Sequence, residues 1–272
     1  MRRWDRHIPT VRKLAIATWP APSHGVIYGR VDADVSRTLP YLERAAVVAG
    51  RPVTMTALVG KAVALALAAA PQLNARIVAG RVRRLASVDV SFFVDVGSGR
   101  DLSAVTVSGA DTASLADIAG RLTSEAARAR AGVEPRLGSA RRLAQRLPVP
   151  LLRGALWAAG LVTAGYGRPL PALGLPADPF GGALVTSLGM HGVDIAFAPL
   201  VPFARVGTVI FVGAVRDRPA VVGGQVVVRP LVTLTATLDH RLVDGVEAAR
   251  LAALLRRVVE DPQATLGPPD GP

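Results

Sequence analysis

Residues 232–262, VTLTATLDHRLVDGVEAARLAALLRRVVEDP, contain the pattern of a strand and the pattern of a helix, joined at a histidine. Up to Leu238, threonines alternate with apolar residues, which is the two-residue period of a strand with one buried face. From Gly245 the apolar residues recur at the spacing of an amphipathic helix, and Asp261-Pro262 ends it. His240 is therefore predicted to lie where a buried strand stops and a loop leads into a helix.

The position of His240 is typical of a catalytic side chain, although a lone histidine is more often a surface or satisfied core residue. A strand end holds the backbone rigidly while the loop exposes the side chain. A neutral imidazole there can take a proton from a thiol or hydroxyl near pH 7. The other histidines, His7, His24 and His191, are scattered and do not form a metal-binding cluster with it. We therefore predict a general base at His240 and no metal site.

Asp244 admits two interpretations. With Glu247 three residues later, it has the spacing of a capping box at the start of a helix. It could also act as a carboxylate that orients His240. Both roles can hold, because a cap fixes the loop that positions the imidazole. The capping role is favoured over direct participation in proton transfer.

The rest of the chain mixes strand and helix patterns without the alternation of βαβ units. This mixture predicts an α+β fold, with a mixed β-sheet and helices packed on one face. No glycine-rich phosphate loop supports a nucleotide-binding fold. The predicted strands are 26–35, three within 75–96, 182–189, 207–215 and a hairpin over 219–240; the predicted helices are 36–50 capped by Ser36, 54–70, 111–132 capped by Asp111 or Thr112, and 245–260.

Composition narrows the class of protein. Half of the 272 residues are hydrophobic, which excludes a disordered chain and allows one large domain over residues 1–272. The absence of cysteine excludes disulfides and thiolate metal sites, and a cytoplasmic location is expected. The net charge of +12 comes mainly from arginine, and it suits either a plain basic surface or an anionic acyl carrier. The sequence contains no motif of the usual nucleic-acid-binding modules, so no nucleic-acid partner is expected.

Residues 138–178 stand apart as a proline-rich segment with two short helical pieces, and we interpret them as an insertion. The uncharged stretch 154–167, GALWAAGLVTAGYG, is shorter than the ~20 residues of a membrane span. A buried or surface-lying hairpin of helices is favoured over a span. Membrane contact through 138–178 is the less favoured alternative.

The stretch DHRLVDG at 239–245 resembles the DHRxxDG signature of dihydrolipoyl acyltransferases, the acyl-transfer components of 2-oxo acid dehydrogenase complexes. The resemblance extends from about residue 10 to 262 and implies the chloramphenicol acetyltransferase-like fold, a two-layer sandwich with helices on one face of a mixed sheet. The other similar stretches are PSHGVIYGRVDADV at 22–35, GKAVALALAAAPQLNAR at 60–76, VTSLGMHGVD at 185–194 and VVVRPLVTLTATLDH at 226–240. In the first of them, His24 falls on the Pro-His position of the corresponding family strand.

The resemblance implies roles for particular residues. His240 falls on the family's base, which deprotonates the attacking thiol. Thr186 falls on a serine whose hydroxyl stabilises the oxyanion, and Ser187 would replace it only if the strand register slipped. Asp244 falls on an aspartate that pairs with an arginine near the N-terminus, for which Arg12 is the candidate.

The resemblance also implies substrates and partners. The expected reaction moves an acyl group between coenzyme A and a thiol of the dihydrolipoyl kind, or another nucleophile. A homotrimer with active sites between subunits is expected, with His240 from one chain and Thr186 from its neighbour, and a lipoyl carrier or dehydrogenase component is a possible partner.

The sequence departs from the family pattern in three places. No lipoyl domain or lipoyl group is expected on this chain, residues 97–107 replace a family stretch beside the substrate channel, and 138–178 are inserted. An inactive structural or assembly homologue of the same fold is the alternative. Retention of both His240 and Asp244 favours the enzyme, because strand packing does not require an imidazole.

Overall fold

The computed structural model describes residues 25–95, 102–130 and 149–269. The strands are β1 (Val26–Asp34), β2 (Ala75–Val78), β3 (Arg81–Arg84), β4 (Val90–Asp95), β5 (Leu102–Val107), β6 (Ala183–Ser187), β7 (Thr208–Val222) and β8 (Gln225–Asp239). The helices are α1 (Thr38–Ala49), α2 (Met55–Ala69), α3 (Leu115–Arg130), α4 (Val149–Gly160), α5 (Gly245–Glu260) and α6 (Pro262–Leu266), with short turns of helix at Leu161–Gly165, Pro171–Leu173 and Gly189–His191.

Six strands form one mixed sheet in the order β1-β8-β7-β6-β4-β5. The pairs β4/β6 and β6/β7 are parallel, and the other three pairs are antiparallel. The strands β2 and β3 form a separate hairpin. This arrangement confirms the predicted α+β class with a mixed sheet.

The helices pack on one face of the sheet. Val185, Ile210 and Leu234 point to this face and share one apolar cluster with residues of α2 and α5. The other face carries a smaller cluster that includes Leu184 and Val209, and among the described residues it is covered by the segment 198–206 rather than by a helix. The predicted placement of helices on one side is therefore confirmed. The other face, called here the helix-free face, carries the residues of β6 and β8 that alternate with Val185 and Leu234, among them Thr186 and Thr235.

Two predicted helix starts are wrong. Helix α1 has no side-chain cap, because the Ser36 hydroxyl donates to Asp34 instead. Helix α3 begins at Leu115 rather than near residue 111, and Ser114 and Asp117 bond reciprocally at its start. Lys61 holds the segment before this helix in a non-helical conformation. Its ammonium donates to the backbone carbonyls of Ala110, Asp111 and Ala113. Burial lowers the pKa of Lys61, and the nearby Asp111 partly opposes this.

Strand β5 has no counterpart among the predicted strands. It pairs antiparallel with β4, forms the edge of the sheet and is the second half of the replaced stretch 97–107. The predicted hairpin over 219–240 is confirmed, with both turn glycines, Gly223 and Gly224, at positive φ. Its first arm and the separately predicted strand 207–215 are one continuous strand, β7.

Gly60 allows α2 to lie directly against the sheet. A Cβ at this position would overlap the ring of Phe92, a β4 side chain with no solvent exposure. We expect Gly60→Ala to lower the free energy of unfolding by about 1–3 kcal/mol, because a packed interior does not accommodate an added methyl without strain. Urea denaturation followed by circular dichroism measures this change.

The matched control is Gly154→Ala in the exposed part of α4, where nothing lies within 4 Å of the added Cβ. There the substitution is expected to raise the free energy of unfolding by up to about 1 kcal/mol, through helix propensity alone. A Gly60→Ala protein as stable as the wild type would show that α2 and β4 are not closely packed.

Candidate active site

His240 directly follows β8 and is held by the sheet. Its backbone N–H donates to the carbonyl of Gly25 at 2.7 Å, which extends the pairing of Val26 with Asp239 by one residue. The side chain is half-buried. The predicted position at a strand terminus, rigid in the backbone and reachable at the side chain, therefore agrees with the structure.

One hydrogen bond sets the orientation of the imidazole. Nδ1 of His240 lies 2.8 Å from the carbonyl oxygen of Val243. A carbonyl oxygen only accepts, so in the neutral ring Nδ1 carries the proton and Nε2 carries the lone pair. This is the tautomer that a general base requires.

An ion pair between Asp239 and Arg241 braces the turn around His240. Arg241 Nη2 lies 2.6 Å from Asp239 Oδ2, and Arg241 Nε lies 2.9 Å from Oδ1. Asp239 Oδ1 also accepts from the backbone N–H of Arg241 at 3.0 Å. Both side chains are nearly buried, at 8% and 11% exposure. This pair was not predicted, although its residues flank the histidine in the sequence.

Asp244 forms the predicted capping box. Its Oδ1 accepts from the backbone N–H groups of Val246 and Glu247, and Glu247 Oε2 accepts from the backbone N–H of Asp244. These bonds satisfy the first amides of α5 and fix the end of the loop that begins at His240. Arg12, the proposed arginine partner, lies outside the described residues, as do His7 and His24.

Thr186 lies on the helix-free face of the sheet, near the end of β6 and half-buried. Its register partner on β7 is Phe211, and the register partner of Phe211 on β8 is Thr235. His240 is five residues further along β8, which is about 17 Å along the strand and about 10 Å across two strands. One chain therefore does not bring these two predicted site residues together.

Ser187 lies on the opposite face from Thr186, as the strand period requires. Its hydroxyl donates to the carbonyl of Val212 at 3.1 Å and accepts from the backbone N–H of Gly189 at 3.3 Å. These bonds end β6 and begin the following turn. The pairing of β6 with β7 is regular from Leu184 to Ser187, so the strand shows no slip of register.

Three arginines, Arg76, Arg205 and Arg241, lie near the His240 end of the sheet. The backbone N–H of Asp239 donates to the carbonyl of Gly207, two residues after Arg205. Burial lowers the pKa of the Arg205 guanidinium, and the charges of Arg76 and Arg241 lower it further, while Tyr166 opposes them. Arg76 pairs with Asp178 at 2.7 Å and Arg241 pairs with Asp239, so the Arg205 guanidinium carries the net positive charge of this cluster, which is favourable for an anionic ligand. Sequence patterns do not show this cluster, because its members come from distant parts of the chain.

Within the described ranges, no three His, Asp or Glu side chains converge in a way that could hold a metal ion. The other described histidine, His191, is exposed at the end of the short turn Gly189–His191 and lies on a different element from His240.

Comparison with known proteins places these residues in a family. Residues 22–134 and 178–267 match the model of the 2-oxoacid dehydrogenases acyltransferase (catalytic domain), well over half of the chain, and residues 135–177 fall between the two matches.

Individual relatives agree with that match. A lipoamide acyltransferase component of the branched-chain alpha-keto acid dehydrogenase complex from Pseudomonas aeruginosa is 34% identical over 126 residues, 44% of this chain and 29% of that relative. The chain spans less than a third of the length of such curated relatives.

Solved structures show the same fold. A probable dihydrolipoamide acetyltransferase from Listeria monocytogenes is 21% identical, with a TM-score of 0.64 over 94% of this chain and 95% of that one. A chloramphenicol acetyltransferase is 11% identical, with a TM-score of 0.55 over 95% of this chain and 100% of that one. The predicted chloramphenicol acetyltransferase-like fold is confirmed.

Proposed function

The chain belongs to the family of 2-oxoacid dehydrogenase acyltransferase catalytic domains, and we propose that it transfers an acyl group between coenzyme A and a thiol acceptor, with His240 as general base. The observation that carries the proposal is the bond from Nδ1 of His240 to the Val243 carbonyl, which leaves Nε2 as the basic nitrogen of the neutral ring. The inactive alternative is disfavoured, because packing alone does not need an imidazole held in that tautomer.

The reaction follows from these groups. Nε2 of His240 takes the proton of the acceptor thiol, and the thiolate attacks the carbonyl carbon of the acyl thioester. The Thr186 hydroxyl donates a hydrogen bond to the oxyanion of the tetrahedral intermediate. When the intermediate collapses, the C–S bond to the leaving thiolate breaks, and this thiolate takes the proton from the imidazolium. The acyl group has then moved from one sulfur to the other, and His240 is neutral again.

Coenzyme A suits the charge around the site. Its phosphates are anionic, and the Arg205 guanidinium adds a positive charge near the turn that holds His240, where Arg76 and Arg241 are already paired with Asp178 and Asp239. Coenzyme A enters as a substrate, and a lipoyl group would reach the site on a separate carrier. Transfer to a carrier of a 2-oxo acid dehydrogenase complex and a cytoplasmic location both remain predictions.

An assay with acetyl-coenzyme A and dihydrolipoamide tests the reaction. Release of the coenzyme A thiol is followed with purified protein, with a buffer control for spontaneous transfer. Release above the control, saturable in both substrates, supports the proposal. Release no faster than the control with this pair and with longer acyl thioesters would remove thiol acyl transfer as the function.

We also propose that the active sites lie between subunits of a homotrimer. The large separation of Thr186 and His240 within one chain supports this, because the hydroxyl and the imidazole must meet at one carbonyl. The helix-free face that carries Thr186 also exposes Tyr28 and Phe197, whose rings pack edge to face at 5.3 Å. Exposed aromatic surface of this kind is typical of an association site.

Complementation between two inactive variants tests this arrangement. His240→Ala and Thr186→Val are expected to be nearly inactive alone, because one lacks the base and the other lacks the oxyanion donor. If the variants are unfolded together and refolded as an equal mixture, about a quarter of the sites should combine an intact His240 with an intact Thr186 from the neighbour. Activity is measured with the thiol-release assay.

The control is the same refolding with either variant alone. An inactive mixture from refolded, trimeric protein would place both groups of one site in a single chain. A monomeric mass in solution would also contradict the arrangement.

A further inference from the structure

The segment between the two family matches presents an apolar helix to solvent. From Leu151 to Ala158, every residue of α4 except Leu152 is exposed. Leu151 and Trp157 are each 62% exposed, and Tyr166 beyond the helix is 48% exposed. Exposed apolar residues grouped on one element, rather than scattered singly, indicate a surface that another body covers.

The base of this helix is firmly anchored. The turn Leu161–Gly165 continues α4 into the protein, and Thr163, Ala164 and Gly165 are buried there. Arg76 Nη1 donates to the carbonyl of Ala164 at 2.8 Å, and Arg83 donates to the carbonyl of Gly165. Among the described residues of this segment, a helix on a fixed base therefore holds Leu151 and Trp157 at the surface.

The charge of the segment indicates what covers it. Residues 149–168 contain two arginines and no acidic residue, and Arg153 is the only charged residue of the helical stretch 149–165. A second copy of the chain would bring like charges together, whereas an anionic surface would attract them. The apolar Leu and Trp side chains favour a lipid surface over a nucleic acid, since they can enter the boundary between headgroups and acyl chains.

The helix is suited to lie on a membrane and not to cross it. No helix in the described residues is long and apolar enough to span a bilayer. Helix α4 with its continuing turn, Val149 to Gly165, would reach only about 26 Å, and Arg153 lies within it.

We propose that α4 docks the protein on an anionic membrane surface, with Leu151 and Trp157 entering the interface and Arg153 contacting the headgroups. The inference does not depend on acyl transfer.

Vesicle co-sedimentation of the full chain tests the proposal. We expect the wild type to bind vesicles of phosphatidylcholine and phosphatidylglycerol at least about tenfold more strongly than vesicles of phosphatidylcholine alone. Added salt should weaken the binding. The variant with Leu151→Ser and Trp157→Ser should lose at least about tenfold in binding, and Arg153→Glu should lose a similar factor by adding repulsion.

The matched control replaces two equally exposed apolar residues elsewhere. Val226 and Val228 on the β7–β8 hairpin are 74% and 73% exposed, and Val226→Ser with Val228→Ser should leave vesicle binding within about twofold of the wild type. Absence of wild-type binding, or equal binding by the α4 and hairpin variants, would overturn the proposal. A loss of oligomer mass in the α4 variant, with no vesicle binding by the wild type, would instead identify a second copy as the occupant and also overturn it.

Discussion

Replacing His240 with alanine is expected to lower kcat for acyl transfer about a thousandfold, within the range that general-base catalysis supplies. The reason is that in the proposed reaction Nε2 takes the thiol proton, and near pH 7 a thiol without a base is mostly protonated and a poor nucleophile. The fold should be retained, because the side chain is half-buried and its backbone bond to Gly25 remains possible. Thiol release with acetyl-coenzyme A and dihydrolipoamide measures the loss.

His191→Ala is the matched control for this prediction. His191 is the other described histidine, exposed and on a different element, so its removal should leave kcat within about twofold. Circular dichroism and the mass in solution verify that both variants fold and assemble alike. If the His240→Ala protein turned over as fast as the His191→Ala protein, the imidazole would have no part in the chemistry.

Arg241→Met is expected to lower the free energy of unfolding by about 3–5 kcal/mol, the typical cost of leaving one member of a buried ion pair without its partner. Asp239 is only 8% exposed, and two of the hydrogen bonds of its carboxylate come from the Arg241 guanidinium at 2.6 and 2.9 Å. Urea denaturation measures the loss. Activity should also fall, because the same pair braces the turn that holds His240.

Two further variants separate charge burial from local packing. Arg216→Met breaks the exposed pair with Asp194 and should cost less than about 1 kcal/mol. Asp239→Asn combined with Arg241→Met removes both buried charges while residue 239 keeps an oxygen for the backbone N–H of residue 241, so much of the lost stability should return. Activity that stays low in this stable double variant would show that the pair positions His240. A single Arg241→Met variant as stable as Arg216→Met would contradict the importance of the buried pair.

The local geometry around His240 followed from neighbouring residues. The bond from Nδ1 reaches Val243 three residues away, and the capping box joins Asp244 to Glu247 across the same distance. Interactions of such short range depend on the spacing of residue types along the chain, so the strand end, the loop and the helix start were predictable from residues 232–262. The start of α3 was not, because the stretch before Ser114 is held by Lys61, about fifty residues earlier.

The order and register of the strands determine which residues that are distant in sequence lie close together and which do not. Thr186 and His240 are far apart in one chain because β7 lies between β6 and β8 and because the register puts Thr186 level with Thr235. Arg76, Arg205 and Arg241 meet although they are far apart in sequence. The exposure of α4 likewise depends on where Arg76 and Arg83 hold its base. Spacing along the chain carries no information about these distances, because they are set by which strands pair and by what packs against the sheet.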